Sequence, residues 1–143
     1  MSVTSIRYSR TEDIQTFGLA LPGLESLTLD FTNVPAEERG GAAKKLLGAS
    51  VMSCFCSALS AALLARGAVY SFIRGDVSVK TGLDEAGRSR VLGIALVVEV
   101  GIAEEDEAIL ERCVKVMRKG CLVSASLEPG IRISHAIRPV FPE

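Results

Sequence analysis

Short apolar runs broken by turn residues fill the first part of the chain: Val3–Tyr8, the stretch around Ile14–Leu19, and Leu27–Phe31. Ser9–Asp13 and Leu21–Gly23 separate them, so the pattern predicts three strands joined by turns. From Thr32 to Gly41 the chain is polar and carries Pro35 and Gly40–Gly41, which reads as a loop. The pattern then changes character. Ala42 to Arg66 contains no proline, is dominated by Ala, Leu, Ser and Met, and runs into Gly67. Those residues favour one long helix with glycine at its C-terminal stop. Within it, Leu46–Ala65 is a run of 20 residues without a charge. A helix apolar nearly all round is buried on most sides, although length alone would admit a membrane span.

Two strands follow, Ala68–Lys80 and Arg90–Val100, joined by a hairpin loop at Thr81–Ser89. Glu104–Lys119 reads as a helix: Glu104, Glu105, Asp106 and Glu107 open it, Lys115, Arg118 and Lys119 close it, and Gly120 ends it. Acidic residues at the start and basic ones at the end complement the helix dipole. Its apolar stripe is Ile109, Leu110, Cys113, Val116 and Met117. A last strand spans Ile131–Ile137 and leads into Pro139. The order β-β-β-α-β-β-α-β predicts an α+β fold with a mainly antiparallel sheet packed on the long central helix. That order also argues against a membrane anchor, because a lone apolar helix among strands lies across a sheet. Ser50, Ser53, Ser57, Ser60 and Gly48 interrupt the apolar run and permit close helix approach. Covering the outer face of such a helix calls for a partner, and a homodimer is the simplest supply.

Composition narrows the function. A chain of 143 residues reads as a single domain, 1–143, with a core large enough to need neither disulfide nor metal. Sixteen basic residues face 17 acidic ones, so no broad basic field exists to recruit nucleic acid or an anionic membrane. Trp is absent and aromatics are 5%, which excludes a stacking platform for single strands. Arg7, Arg10, Glu12 and Asp13 interrupt any signal-like apolar stretch, so the expected compartment is the cytoplasm, where thiols stay reduced.

The four cysteines, Cys54, Cys56, Cys113 and Cys121, are then the candidate chemistry. With no CxxC pair and with His135 as the single histidine, no metal site and no cofactor is expected. Cys54 and Cys56 lie two positions apart on the long helix, about 200° of rotation, so they face opposite sides and cannot pair while the helix persists. Cys113 sits on the apolar stripe of the second helix and reads as core. Cys121 follows Gly120 at a junction, where side chains are more readily reached.

Two segments resemble the OsmC/Ohr family, the osmotically inducible protein C and organic hydroperoxide resistance proteins. Leu46-Leu-Gly-Ala-Ser-Val-Met-Ser-Cys54-Phe55-Cys56-Ser-Ala-Leu-Ser60 is similar to the family's LLxAxxAACFxxAL helix, and Lys119-Gly-Cys121-Leu-Val-Ser124-Ala-Ser-Leu127 to its CPVSxxL segment. The cysteines of the two segments are 67 residues apart, and the order of strands and helices fits from about residue 1 to 138. The resemblance implies an intertwined homodimer and a thiol-dependent hydroperoxide reductase of oxidative-stress defence. In it, Cys54 would reduce an organic peroxide or hydrogen peroxide and Cys121 would resolve the sulfenic acid as a disulfide. An external dithiol would restore the thiols. Cys56 falls where the family tolerates various residues.

The resemblance also implies an arginine that favours the Cys54 thiolate, held by a glutamate early in the long helix. Arg10 matches the first. The position of the second is Lys44, which would repel an arginine, and Leu122 replaces the proline after the second cysteine. Two alternatives follow: Glu37 or Glu38 reaches the site from the loop, or Lys44 itself supplies the cation. A further reading is a divergent member without efficient peroxidase activity, a small-molecule-binding or structural dimer with inert cysteines.

Overall fold

The computed structural model describes residues 1–142. The chain forms two compact units, Met1–Ala42 and Ala43–Glu143.

The first unit is an antiparallel sheet in the order β1 (Arg7–Thr11), β2 (Ile14–Leu21), β3 (Leu24–Asp30). The first strand starts later than the apolar pattern suggests and extends through Ser9–Thr11, leaving only Glu12 and Asp13 as the turn. Pairing with β2 decides this: Arg10 lies opposite Gln15 and Thr11 opposite Ile14. Every residue of β1 is exposed, so polar side chains carry no burial penalty there. Arg10 is therefore a strand residue, not part of the turn where the sequence placed it. Asp13 fastens the following loop: its carboxylate pairs with Arg39 at 2.8 Å, and its carbonyl accepts the Phe31 amide at 2.9 Å.

The second unit holds α1 (Ala42–Ala65), β4 (Tyr70–Leu83), β5 (Ser89–Ile102), α2 (Glu107–Met117), α3 (Leu122–Leu127) and β6 (Arg132–Val140). Residue Ala42 begins α1 from the first unit. In α1 the buried side is the stripe Gly48, Val51, Phe55, Leu59 and Leu63, at spacings of three and four. Gly48 is where the helix meets β4: a Cβ there would stand 3.1 Å from Val79 Cγ2. The helix ends as glycine allows. Gly67 takes φ 79°, its amide bonds to Leu64 O and the Ala68 amide bonds to Leu63 O, both at 3.1 Å, which is a Schellman cap.

Strand β5 alternates as a half-buried strand should, with Ile94, Leu96, Val98 and Val100 all at or below 2% exposure. These residues share the core with the α1 stripe and with Leu110, Cys113 and Met117 of α2. The Cys113 thiol is fully buried there, as the helical stripe predicts.

Three of the four strand pairings are antiparallel: β1–β2, β2–β3 and β4–β5. The fourth, β5–β6, is parallel, because β5 returns to β6 through α2 and α3, and a parallel neighbour needs such a crossover. The α+β class with a mainly antiparallel strand set stands, with the strands divided between two three-stranded sheets. Pro139 lies inside β6, opposite Val100, beyond the expected strand end. An edge strand tolerates proline because the missing N–H faces away from the ladder.

Helix α3 is the element that the apolar pattern does not announce. Six residues are too few for a helical period, and a helix this short depends on its ends. Cys121 supplies the cap, as described below.

Candidate functional site

Two elements of the second unit converge on a pair of thiols. Cys54 rides on α1 directly before Phe55, whose ring is fully buried, so the Cys54 side chain is half-buried at the margin of the core. Cys121 caps α3 and is 7% exposed. The Ser124 amide donates to Cys121 Sγ at 3.5 Å, and Ser124 Oγ accepts from the Cys121 amide at 2.8 Å. The same hydroxyl oxygen accepts from the Cys121 thiol at 3.3 Å. These bonds form a reciprocal capping box around a buried serine. Gly120 makes room for it: with φ 75°, it has no Cβ where one would stand 2.6 Å from Ser124 Oγ.

The Cys54 and Cys121 side chains, 67 positions apart in sequence, lie close enough for each to shift the ionisation of the other. All four cysteines are free thiols. The local electrostatics divide the two partners. Burial raises Cys54, the Val123 and Leu122 amides pull it down, and the Cys121 side chain and charge raise it; the balance lies above the ordinary thiol value. Burial also works against a Cys121 thiolate. There the Ser124 hydroxyl and amide, the Cys54 thiol and the Val123 amide together outweigh it and leave Cys121 below the ordinary value. Burial, two backbone amides and the second thiol are the influences on Cys54 within this chain.

Cys56 turns elsewhere. Its thiol lies 3.5 Å from Met52 Sδ and it lines an open groove with Ser57, Ser60, Leu64 and Tyr70. Burial raises Cys56, and the charge of Cys121 adds to that. Lys44 lines a different cleft, with Thr81, Ser89 and Arg90 at the hairpin end of β4 and β5. Ten residues along α1 put it about 15 Å from Cys54 within one chain, beyond the reach of a lysine side chain. Arg10 stays exposed on β1 of the first unit, its Nε donating to Glu12 O at 3.4 Å. Glu37 and Glu38 are exposed in a 3-10 turn of that unit, Ala36–Glu38.

Two residues of the site escaped the sequence reading. The signal for Ser124 is its separation of three from Cys121, that of a capping box. His135, the single histidine, packs its ring 4.8 Å from that of Phe55. Its place in the alternation Ile133–His135–Ile137 marks it as inward-facing. Burial lowers the His135 pKa, while the Glu128 charge and the Met117 backbone act against that. The unfolded chain therefore takes up a proton, below about pH 6.5, that the folded chain resists. His135 contributes stability above that pH, and the contribution is lost as pH falls toward the lowered value. The urea midpoint is expected to drop between about pH 7 and pH 5, and to drop less in His135→Phe. Equal drops in the two proteins would remove His135 from the account.

By length and composition an 18-residue stretch within Ala36–Ala65 is apolar enough to cross a membrane, with mean hydropathy 1.8. Of that stretch 28% is buried, the stripe that packs on the core.

A sequence model of the family described as OsmC-like protein matches residues 36–136. Comparison with curated proteins gives no match. Among solved structures, an OsmC-like protein of unknown function from Vibrio cholerae is similar, with TM-score 0.76 and 13% identity over 96% of this chain and 99% of that one. An organic hydroperoxide resistance protein from Elizabethkingia anophelis has TM-score 0.65 and 15% identity over 97% and 99% of the two chains. The organic hydroperoxide resistance protein OhrB of Bacillus subtilis has TM-score 0.60 and 19% identity over 94% and 98%. At such identities these likenesses speak for the fold, and the family match covers most of the chain. With the paired strands, the long α1 and the convergent thiols, they place the protein: it belongs to the OsmC-like protein family.

Proposed function

We propose that this protein is a thiol-dependent hydroperoxide reductase in which Cys54 and Cys121 form the redox pair. The observation that carries the reading is the nearness of these two thiols, one on α1 and one at the start of α3, each shifting the ionisation of the other. The Cys54 thiolate attacks the distal peroxide oxygen, breaking the O–O bond. The alcohol or water leaves with a proton, and Cys54 becomes a sulfenic acid. Cys121 then attacks that sulfur, water departs and a disulfide remains. An external dithiol reduces it, taking up the two-electron oxidation. The family resemblance nominates Arg10 as the cation that favours the Cys54 thiolate. The names of the Elizabethkingia and Bacillus proteins support a hydroperoxide as substrate. We assign the chain, as one domain, to a cytoplasmic homodimer in which the face of α1 turned away from its core is covered by the second copy.

The test is peroxide consumption with a dithiol, using cumene hydroperoxide and hydrogen peroxide in turn. Consumption well above that of thiol-blocked protein is expected, together with one intramolecular Cys54–Cys121 disulfide per chain after peroxide without reductant. Consumption equal to that of the blocked protein would overturn the assignment. The raised Cys54 favours one other reading, a binding or structural dimer with an inert thiol. That reading requires slow Cys54 alkylation at neutral pH and no peroxide turnover.

A further inference from the structure

The two thiols differ in a way that bears on how their disulfide would be opened. Cys54 is half-buried on α1, whereas Cys121 is 7% exposed beneath α3. Cys121 Sγ already has two donors or acceptors from one residue, the Ser124 amide at 3.5 Å and Ser124 Oγ at 3.3 Å. Ser124 is itself 4% exposed and held by the Cys121 amide at 2.8 Å, so it cannot turn away without unmaking the cap. At Cys54 the Val123 and Leu122 amides favour the thiolate, but no hydroxyl joins them and burial outweighs them.

In thiol–disulfide exchange the incoming thiolate attacks the sulfur it can reach, in line with the bond, and the better-stabilised thiolate leaves. Access and leaving-group stabilisation usually have to be weighed against one another. Here they agree. We propose that Ser124 is a positioning residue that makes Cys121 the leaving group, so that an external dithiol enters at the Cys54 sulfur.

The dithiol's first thiolate bonds to Cys54 Sγ, the Cys54–Cys121 bond breaks, and its electron pair goes to Cys121, whose sulfur accepts from the Ser124 amide and hydroxyl. The second thiol of the reductant then attacks its own sulfur in the mixed disulfide. It closes the reductant's disulfide and releases Cys54, and each protein sulfur ends with a proton. The reductant loses two electrons and the protein gains two. Ser124 is not consumed and touches no substrate. It lowers the cost of the thiolate at Cys121, in keeping with the depressed pKa there.

This inference rests on the Cys54–Cys121 pairing of the proposed function, and the experiment separates the two. The disulfide is made with diamide, so no peroxide chemistry is needed, then treated with the monothiol 2-mercaptoethanol, quenched with acid and mapped by peptide mass spectrometry. The adduct is expected on Cys54, with Cys121 free. An adduct on Cys121 would overturn the inference and leave the pairing intact; failure to form the disulfide would overturn the pairing and the inference together. Ser124→Ala is expected to slow reduction by dithiothreitol about 3- to 10-fold and to raise the pH at which Cys121 is alkylated, with Ser124→Thr restoring both. A variant that loses stability but keeps the wild-type reduction rate and alkylation profile would make Ser124 a mere helix cap and overturn the proposal. The adduct map on the wild-type protein needs no variant to fold.

Discussion

Cys54→Ser is expected to bring peroxide consumption down to that of thiol-blocked protein, a loss on the order of 10³-fold or more. A serine hydroxyl is almost wholly protonated at neutral pH and is a poor nucleophile toward oxygen, so no later step can compensate. Cys121→Ser should behave differently. Its Cys54 can still be oxidised once, so a stoichiometric burst of peroxide loss is expected, followed by a stall at the sulfenic acid, which dimedone would trap on Cys54. The comparison matters because the electrostatics alone point the other way: Cys121 is the more acidic thiol and Cys54 the less acidic. Nucleophilic attack needs access as well as a thiolate, and Cys121 is 7% exposed with its sulfur engaged by Ser124. A burst that survives in Cys54→Ser and disappears in Cys121→Ser would exchange the two roles. The pH profile supplies a second reading. With Cys54 raised by burial, the burst rate should climb with pH through and beyond the ordinary thiol value, unless a cation at the site restores the thiolate.

The largest effect on stability is expected from Phe55→Ala, a loss of about 3–5 kcal/mol. Phe55 is at 0% exposure in the middle of the α1 stripe, and its ring packs 4.8 Å from that of His135. Removing it leaves a void flanked by β5 and β6 residues that are tied into the sheet ladder and cannot collapse inward. Urea unfolding followed by circular dichroism would read the loss as a lower midpoint at unchanged slope. A change below about 1 kcal/mol would mean that the α1 stripe is not the core. The substitution also loosens the support of its neighbour Cys54, so disulfide formation with diamide should slow in the fraction that remains folded.

Much of the second unit was legible in the sequence because its elements obey one period each. The alternation of β5, the charge order of α2 and the glycine after α1 are local signals, and each corresponds to an observed strand, helix or cap. Elements set by a neighbour were not legible. The start of β1 follows its pairing with β2, and exposed strand residues such as Arg10 carry no apolar mark. Helix α3 needs the Cys121–Ser124 box, and β6 runs parallel because a helical crossover brings it back beside β5. At the site, residue type and family likeness singled out Cys54 and Cys121. Lys44, by contrast, draws its neighbours from the β4–β5 hairpin, which nothing local to the start of α1 announces.

By itself, then, the sequence determined where α1 lies and stops, which face of β5 turns inward, and that Leu110, Cys113 and Met117 of α2 are core, whereas Val116 of the same expected stripe is 40% exposed. Those properties depend on residues within a few positions of one another, which a chain carries before it folds. Only the tertiary structure decided that Cys54 meets Cys121, that Ser124 holds the second thiol, and that the two thiols differ in acidity in the order they do. Burial and hydrogen bonding, which set that order, are properties of the packed surroundings: the same two cysteines in an unfolded chain would have the same pKa.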